Sequence, residues 1–261
     1  MAAKTGFHRL LDKETEHEGL FIGRNAVIEL LKSSRQVDRV LMKQGTPEGS
    51  LQVIVALAKE KSIPIVETDI RKLDALAAGG AHQGVAAYAA ETDYLSVEDL
   101  LRQAADRSEQ PFFVICDSIN DPHNLGAIIR SAECAGANGI VIPKRNTCGI
   151  NGTVAKSSAG AVFHMPIARV PNLAAAVRTL KENNVWVWAL EAGGEPYYRM
   201  DFKGGVALIL GSEGDGVSRL LKDESDGVVG IPMFGSINSL NVSNASAVVL
   251  FEAARQRFAK S

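Results

Sequence analysis

Residues 231–257 read IPMFGSINSLNVSNASAVVLFEAARQR, a loop of small polar residues followed by a helical segment. The loop offers serine hydroxyls, asparagine amides and backbone groups, all of which form hydrogen bonds at close range. Its polar residues are uncharged, so the composition suits a neutral ligand that forms hydrogen bonds. Capping of the helix by Ser243 or Asn244 is the simpler interpretation, but a cap accounts for only one or two of these residues.

The composition of the 261-residue chain is that of a globular protein, with 46% hydrophobic and 22% charged residues and a net charge of −2. This length allows one large domain or two small ones. The near-neutral charge argues against a generic nucleic-acid coat, which is usually strongly basic. No apolar run approaches the roughly 18 residues of a membrane helix, and the N-terminal residues contain no apolar signal core. We therefore expect a cytoplasmic protein without membrane contacts.

The three cysteines are Cys116, Cys134 and Cys148. Their odd number and wide spacing argue against a disulfide framework. A zinc site that included His123 would lack any CxxC spacing. We therefore expect neither a disulfide nor a bound metal.

The N-terminal part of the chain predicts a small α/β domain. Residues 1–18 are polar and mixed in charge, and we expect a flexible tail. Residues 19–90 alternate between helical and strand patterns, with Asn25 as the N-cap of the first helix and a buried strand at residues 64–69. Residues 91–110 are charged and polar apart from a helical segment, YLSVEDLLRQA, which predicts a linker or domain boundary.

Residues 111–261 predict a parallel sheet with helices on both faces. Near-continuous apolar segments, such as PFFVIC at residues 111–116 and VALIL at residues 206–210, are typical of strands buried on both faces. They alternate with helical patterns, which predicts an α/β fold. Ligands in such sheets bind beyond the carboxyl ends of the strands, so the loops at that edge are candidates for a site.

Two further loops at that edge carry polar residues. In residues 117–130, Asn124 precedes a helix and Arg130 lies nearly two turns into it. Because the neighbouring helical residues are apolar, we expect Arg130 at a buried edge with an anionic partner; the alternative is an ordinary surface cation. The loop GSEGDGV begins at Gly211 and has GxxGxG spacing, not the dinucleotide spacing GxGxxG. Its Glu213 would repel a pyrophosphate and is better suited to positioning another side chain.

Together these motifs resemble those of the SpoU (TrmH-type) RNA 2'-O-ribose methyltransferases of the SPOUT superfamily. The resemblance covers about residues 111–258 and rests on Asn124 and Arg130 after a buried strand, then LILGSEGDGVS, then IPMFGSINSLNVSNASAVVLFEA. Residues 19–90, which end in HQGVAAYAA, resemble the substrate-binding domain of the ribosomal members. The two-part layout and the stretch GINGTVAKSSAGAV are most similar to the members that methylate a guanosine of bacterial 23S rRNA.

The resemblance implies a C-terminal domain in which the chain forms a deep trefoil knot around S-adenosylmethionine. The implied cofactor-binding residues, which act largely through backbone groups, are Gly211, Ile231 and Leu240. The implied catalytic residues are Arg130, Asn124, Glu213, Ser239 and Asn241. The resemblance also implies a homodimer with the site at the subunit interface.

In the implied reaction, a ribose 2'-hydroxyl attacks the methyl group of a sulfonium. Alignment supplies much of the catalysis, because the methyl donor is already a strong electrophile. A guanidinium has a pKa above about 12 and is a poor base near neutrality, so we expect Arg130 to anchor the target phosphate and hydroxyl. We expect Asn124 and Asn241 to position groups, and Glu213 to orient an arginine or a substrate group.

RNA contacts are expected from basic residues, because phosphate contacts supply affinity. These residues are Arg24, Arg35 and Arg39 in the N-terminal domain, and Lys144, Arg145 and Lys156 near the site. We expect deletion of residues 1–95 to impair RNA capture more than cofactor binding.

Other functions stay open within the resemblance. The target could be tRNA or another rRNA position, including that of a resistance-type enzyme. A non-catalytic RNA-binding module is the remaining alternative. Such a module would be expected to have lost Arg130, Glu213 or Asn241, and all three are present.

Overall fold

A computed structural model describes residues 19–90 and 92–258 and divides the chain into two compact units. The first unit contains the described residues up to Thr92 together with Ile150–Phe163. The second contains Asp93–Gly149 and the described residues from His164 onwards. The tail predicted at residues 1–18 lies outside the described residues.

Strands and helices alternate along the chain. The strands are β1 (Leu20–Ile22), β2 (Val37–Lys43), β3 (Ile65–Thr68), β4 (Val85–Ala89), β5 (Phe112–Cys116), β6 (Gly139–Pro143), β7 (Ile167–Val170), β8 (Trp186–Pro196), β9 (Val206–Leu210) and β10 (Gly227–Gly230). The helices are α1 (Arg24–Lys32), α2 (Ser50–Glu60), α3 (Ile70–Ala77), α4 (Val97–Asp106), α5 (Pro122–Cys134), α6 (Gly152–Ser157), α7 (Leu173–Glu182), α8 (Arg219–Glu224) and α9 (Val242–Phe258). This alternation confirms the predicted α/β class.

The first unit has a mixed four-stranded sheet in the order β1-β4-β2-β3. Strand β4 runs antiparallel to β1 and β2, while β2 and β3 are parallel. Strand β4 lies between two neighbours and is buried along its length. Strand β3 lies at the sheet edge, where Val66 remains 44% exposed. The predicted burial of residues 64–69 is therefore wrong.

Helix α1 begins one residue before the predicted cap. Its N-cap is Gly23, with a φ of 94°, and not Asn25. Glycine adopts this left-handed backbone without a Cβ clash. The helix buries Val27, Leu30 and Leu31 in the first unit, where it packs against α2.

The second unit has six parallel strands in the order β10-β8-β9-β5-β6-β7. Strands β5 and β9 lie at its centre, and every residue of both is buried. Strands buried on both faces require apolar side chains on both, which explains their continuous apolar sequence. The predicted parallel sheet is confirmed, and the carboxyl ends of β8, β9 and β5 share one edge.

Helix α4 confirms the helical segment predicted within residues 91–110, a stretch that the sequence otherwise assigns to a linker or domain boundary. Its Val97, Leu100 and Ala104 are buried in the core of the second unit. A capping box stabilises its start, because the backbone N–H of Asp99 donates to the hydroxyl of Ser96 at 3.1 Å. The polar composition therefore belongs to the exposed face of an amphipathic helix.

Residues 150–163 belong to the first unit, although the sequence assigns them to the second domain. Val154 and Val162 are buried, and α6 packs against β1 and α1. A Cβ at Gly152 would lie 2.6 Å from the carbonyl oxygen of Leu20, so this close approach requires glycine. A helical pattern predicts a buried face but does not identify the part of the chain that covers it.

Candidate active site

A cavity of about 380 Å³ lies in the second unit, between residues 190–192 of β8 and the loops that follow β9 and β10. The start of α9 completes its wall. The lining residues that bear on function are Glu191, Gly211, Glu213, Ile231, Ser239 and Leu240. A cavity of this size holds a small-molecule ligand, and its position beyond the strand ends is the one expected for this fold.

The loop after β9 closes on itself around Gly216. The backbone N–H of Gly216 donates to the carbonyl oxygen of Ser212 at 3.0 Å, and the N–H of Ser212 donates to the carbonyl oxygen of Gly216 at 3.2 Å. Gly216 has a φ of 66°, which favours glycine. A Cβ at Gly211 would lie 2.0 Å from the carbonyl carbon of Gly216. The GxxGxG spacing therefore serves a tight local turn.

Two carboxylates that no sequence motif marks hold the end of this loop. Glu191 Oε1 accepts a hydrogen bond from the backbone N–H of Val217 at 2.5 Å. Asp117 Oδ2 accepts one from the next backbone N–H, that of Ser218, at 2.8 Å. Glu191 belongs to β8 and Asp117 follows β5, so the strands on both sides of β9 each contribute one carboxylate. The only available sequence signal was an acidic residue at the carboxyl end of an apolar strand.

Asn124, Glu213 and Asn241 form one hydrogen-bonded cluster. Asn124 Nδ2 donates to Glu213 Oε1 at 3.0 Å, and Asn241 Nδ2 donates to Asn124 Oδ1 at 3.0 Å. Asn241 Nδ2 also donates to Glu213 Oε1. The other oxygen of this carboxylate, Oε2, has no hydrogen-bond partner in the part of the chain that the structure describes. The structure thus brings together three of the five residues predicted to be catalytic.

Asn241 also caps helix α9. Its Oδ1 accepts hydrogen bonds from the backbone N–H groups of Ser243 at 2.9 Å and of Asn244 at 3.4 Å. This is the usual N-cap geometry of asparagine, and the predicted capping by Ser243 or Asn244 is wrong. Because both ends of its amide are bound, Asn241 is fixed in orientation beside Glu213.

Arg130 does not join this cluster within its own chain. It lies six residues after Asn124 on α5, which places it about 9 Å further along the helix and roughly 120° around it. Asn124 is buried and Arg130 is exposed. The expected buried edge for Arg130 is therefore wrong, and no ion pair of Arg130 occurs within residues 19–90 and 92–258. Ser239 is also exposed, in the wall of the cavity.

Three of the basic residues predicted to contact RNA are Arg24, Arg35 and Arg39, and they lie in the first unit. The guanidinium carbon of Arg39 lies 4.5 Å from the ring centroid of Tyr88. That of Arg35 lies 5.2 Å from the ring centroid of Phe163. Such stacking holds a guanidinium in place and leaves N–H groups for other partners.

The other predicted RNA contacts, Lys144, Arg145 and Lys156, are divided between the two units. Lys144 and Arg145 are exposed after β6, in the second unit. Lys156 is exposed on α6, which belongs to the first unit. Its place near the site stays a prediction.

The described residues also include possible metal ligands and three cysteine thiols. No group of His, Cys, Asp and Glu in this part of the chain could hold a metal ion. The three cysteines are free, and burial raises the pKa of Cys116 to about 12, with smaller contributions from Cys148 and Asp117. Among the described residues, no helix is long and apolar enough to span a membrane. The cytoplasmic location stays a prediction.

Comparison with known proteins identifies the family. The model of the SpoU rRNA Methylase family matches residues 111–251, more than half of the chain. The chain belongs to the SpoU family. A second family model, described as RNA 2'-O ribose methyltransferase substrate binding, matches residues 20–95. This SpoU protein is therefore an S-adenosylmethionine-dependent RNA methyltransferase with a substrate-binding domain, which confirms the predicted enzyme class and cofactor.

Relatives of this SpoU protein match nearly its whole length. YacO of Bacillus subtilis (strain 168), provisionally named a TrmH family tRNA/rRNA methyltransferase, is 44% identical over 90% of this chain and 95% of its own. A protein of Staphylococcus aureus (strain MSSA476) with the same provisional family name is 38% identical over 91% of this chain and 96% of its own.

Solved structures share the fold of this SpoU protein. The SpoU methyltransferase AviRb from Streptomyces viridochromogenes, in complex with AdoMet, has a TM-score of 0.77 at 24% identity and covers 96% of this chain and 94% of that chain. The AdoMet-bound rRNA methyltransferase from Sinorhizobium meliloti has a TM-score of 0.78 at 24% identity, and the match covers 98% of this chain and 96% of that chain. At this level of identity the likeness concerns the fold.

Proposed function

We propose that this SpoU protein transfers a methyl group from S-adenosylmethionine to the 2'-hydroxyl of a guanosine in 23S rRNA. The resemblance of its sequence to the guanosine enzyme RlmB supports the target. One structural observation supports this reaction: Glu213 belongs to the Asn124–Glu213–Asn241 cluster and also lines the cavity. Hydrogen-bonding groups are thereby held beside a pocket of cofactor size.

The cofactor is proposed to bind in the cavity lined by Gly211, Ile231 and Leu240. Backbone N–H and carbonyl groups of these residues suit the edge of an adenine, and the apolar side chains of Ile231, Met233 and Leu240 suit its faces. S-adenosylmethionine supplies an electrophilic methyl group when bound. The tight turn at Gly216 sets the position of the Gly211 backbone, because the two glycines are in direct contact.

Glu213 is proposed to orient the target ribose or an arginine bound beside it. Both asparagine amides donate to Glu213 Oε1, which holds the carboxylate in one orientation and leaves Oε2 for a substrate group. The hydroxyl of Ser239, in the cavity wall, is a further hydrogen-bonding group for the ribose. Positioning of this kind is the main catalytic requirement when the methyl donor is already electrophilic.

A homodimer is proposed to complete the site through Arg130. This residue is exposed on α5, and the adjacent helix α9 leaves Phe251 50% exposed and Val248 37% exposed. An apolar surface beside an exposed cation suits contact with a second copy of the chain. In that position Arg130 is suited to anchor the phosphate of RNA bound at the partner's site. The trefoil knot stays part of this proposal, supported by the loop after β9 and the loop after β10, which line one cavity together.

Transfer of labelled methyl groups tests the proposal. Purified protein is incubated with labelled S-adenosylmethionine and with 23S rRNA, 16S rRNA or tRNA, and the modified nucleotide is mapped. Label on the ribose of a 23S guanosine is expected. Label on tRNA alone would show that the target is tRNA and not 23S rRNA. The tRNA/rRNA name of YacO favours this alternative. Cofactor binding without transfer to any of these RNAs would indicate a non-catalytic binding module.

A further inference from the structure

A second pocket, of about 590 Å³, lies in the first unit. It is formed by the start of α1, the end of β2, the start of α3 and the loop before β4. The lining residues that carry the argument are Arg24, Lys43, Ile70, Asp74, His82 and Gln83. The proposed methyl transfer gives this pocket no role.

Two cations line this pocket. Arg24 is held by its Nε, which donates to the carbonyl oxygen of Gln83 at 3.0 Å, and by Nη1, which donates to Ser50 Oγ at 3.3 Å. These contacts use two of the five N–H donors of the guanidinium, whose planar fork matches phosphate oxygens. Lys43 is exposed, and its ammonium has no hydrogen-bond or ion-pair partner among the described residues. The pair therefore offers charge to an anionic ligand.

A buried histidine fixes the loop that forms the pocket wall. His82 is 9% exposed, and its Nδ1 accepts a hydrogen bond from the backbone N–H of Gly84 at 2.9 Å. Since Nδ1 is an acceptor, Nε2 carries the hydrogen and donates it to Asp74 Oδ1 at 2.9 Å. His82 is neutral in this tautomer, so Asp74 keeps its negative charge, and the two cations still leave the pocket lining with a net charge of +1.

Gln83 adopts a backbone conformation that non-glycine residues seldom use. Its φ is 54°, and its side-chain Oε1 accepts a hydrogen bond from the backbone N–H of Arg24 at 3.0 Å. Such conformations persist where the surrounding contacts enforce them, often at binding sites. The loop and Arg24 are thus held together before any ligand arrives.

The pocket also has an apolar part. Ile70, the first residue of α3, is 53% exposed there. Single exposed apolar side chains are common on protein surfaces, but this one lies in the same pocket as two cations. An apolar face and a cationic end match the base and the phosphate of a nucleotide.

We propose that this pocket binds one nucleotide of the RNA substrate, with a phosphate on Arg24 and Lys43 and the base against Ile70. The inference rests on the proposed function, because it takes RNA as the substrate. The family match assigns substrate binding to residues 20–95 as a whole. Our proposal locates substrate binding at one face of the first unit, the face that contains this pocket.

The test compares Lys43→Met with Lys59→Met in the full-length protein. Methionine keeps the aliphatic stem that lies against Gly84 and removes only the charge. Lys59 is an exposed lysine of α2 in the same unit, outside the pocket. Binding of in vitro transcribed 23S rRNA is measured by filter retention between about 50 and 200 mM salt, the range over which phosphate contacts are resolved.

Lys43→Met is expected to weaken RNA binding about threefold to tenfold and to reduce the slope of log K against log salt by roughly 0.7–0.9, the value of one phosphate contact. Lys59→Met should match the wild type in RNA affinity and in the slope of log K against log salt. The affinity for S-adenosylmethionine should be the same in the wild type and both variants. An unchanged salt slope in Lys43→Met would overturn the inference. Failure of the wild type to transfer methyl groups would overturn the proposed function instead, and the RNA-binding comparison would still decide on the pocket.

Discussion

The carboxylate of Glu191 accepts a hydrogen bond from the backbone N–H of Val217, and this contact joins two segments of the cavity wall. Glu191 lies on β8, whereas Val217 ends the glycine-rich turn after β9. Val217 is 1% exposed, so water cannot readily replace a lost acceptor. The shape of the proposed cofactor cavity therefore depends on a side chain that lies outside all three motifs on which the family resemblance rests.

Loss of this acceptor should weaken cofactor binding. We expect Glu191→Ala to raise the Kd for S-adenosylmethionine roughly tenfold, because an unsatisfied buried N–H costs about 1–3 kcal/mol. Glu191→Gln keeps an acceptor oxygen and should retain most of the affinity. Isothermal titration calorimetry measures both. Glu195→Ala is the matched control, since Glu195 is an exposed residue of the same strand that pairs with Arg199; equal Kd values for the two alanine variants would contradict the role of Glu191.

A side chain at Gly216 should disrupt the turn that carries Gly211. A Cβ there would lie 2.1 Å from Glu191 Oε1, and the φ of 66° adds strain of about 1–3 kcal/mol. We expect Gly216→Ala to lose most of its affinity for S-adenosylmethionine in the same titration. Gly214→Ala is the control, because a Cβ at Gly214 meets no atom within 4 Å. Tight cofactor binding by Gly216→Ala would show that this turn does not shape the site.

Substitutions of Asn241 should separate its capping role from its proposed catalytic role. Asn241→Ala removes both and is expected to lower stability by about 0.5–2 kcal/mol, the value of an N-cap. Asn241→Asp keeps a capping oxygen but places a second carboxylate beside Glu213, so its turnover should fall while its stability at the cap is retained. Urea unfolding and single-turnover methyl transfer measure the two effects. Asn244→Ala, in the first turn of the same helix, should leave turnover near wild type.

Arg130→Ala should abolish methyl transfer while cofactor binding survives, because Arg130 lies outside the cavity wall. Near-normal turnover of this variant would show that Arg130 has no part in the reaction.

A mixture of the Arg130→Ala and Glu213→Ala variants tests whether Arg130 acts across the dimer. If subunits exchange freely, roughly a quarter of wild-type turnover should return, since half of the dimers are mixed and each mixed dimer has one intact site. An inactive mixture, with exchange shown by tagged subunits, would place Arg130 in its own chain's site.

The buried thiol of Cys116 should make stability fall at high pH. The folded protein keeps this proton up to a pKa of about 12, whereas the unfolded thiol releases it near the ordinary value of 9.0. Between these values the unfolded state binds fewer protons, so the free energy of unfolding decreases with rising pH by up to about 1.4 kcal/mol per unit. Urea unfolding from pH 8.5 to 10.5 measures the slope. Cys116→Ala should reduce the slope, and an identical slope in that variant would assign it to other groups.

The loops around the cavity could be predicted from the sequence because parallel strands share a carboxyl edge. Apolar strands were enough to predict that the loop from Gly211 and the Ser/Asn loop lie at that edge, whereas the family resemblance supplied Gly211, Ile231 and Leu240 as individual residues. Glu191 and Asp117 could not be found in this way. An acidic residue after a strand looks the same in sequence whether it is solvated or bound to a backbone N–H.

The exposure of Arg130 and the cap at Asn241 depend on geometry that apolar patterns do not record. Apolar neighbours place the helix of Arg130 in the core, but the side chain at a given position can still point outwards. Three polar residues near the start of α9, Asn241, Ser243 and Asn244, could each cap the helix, and Asn241 is the one that also contacts Asn124.

The division of the chain into units has a practical consequence for dissecting this enzyme. Because Ile150–Phe163 belongs to the first unit, the chain passes between the units three times. Deletion of residues 1–95 would expose the side chains of Val162 and Phe163, which are buried in the full-length protein. The remaining part of the chain would then contain an exposed apolar loop that favours aggregation. Deletion of residues 1–95 alone therefore does not give an intact methyltransferase domain without exposed core residues. Residues 150–163 must also be replaced with a short polar linker.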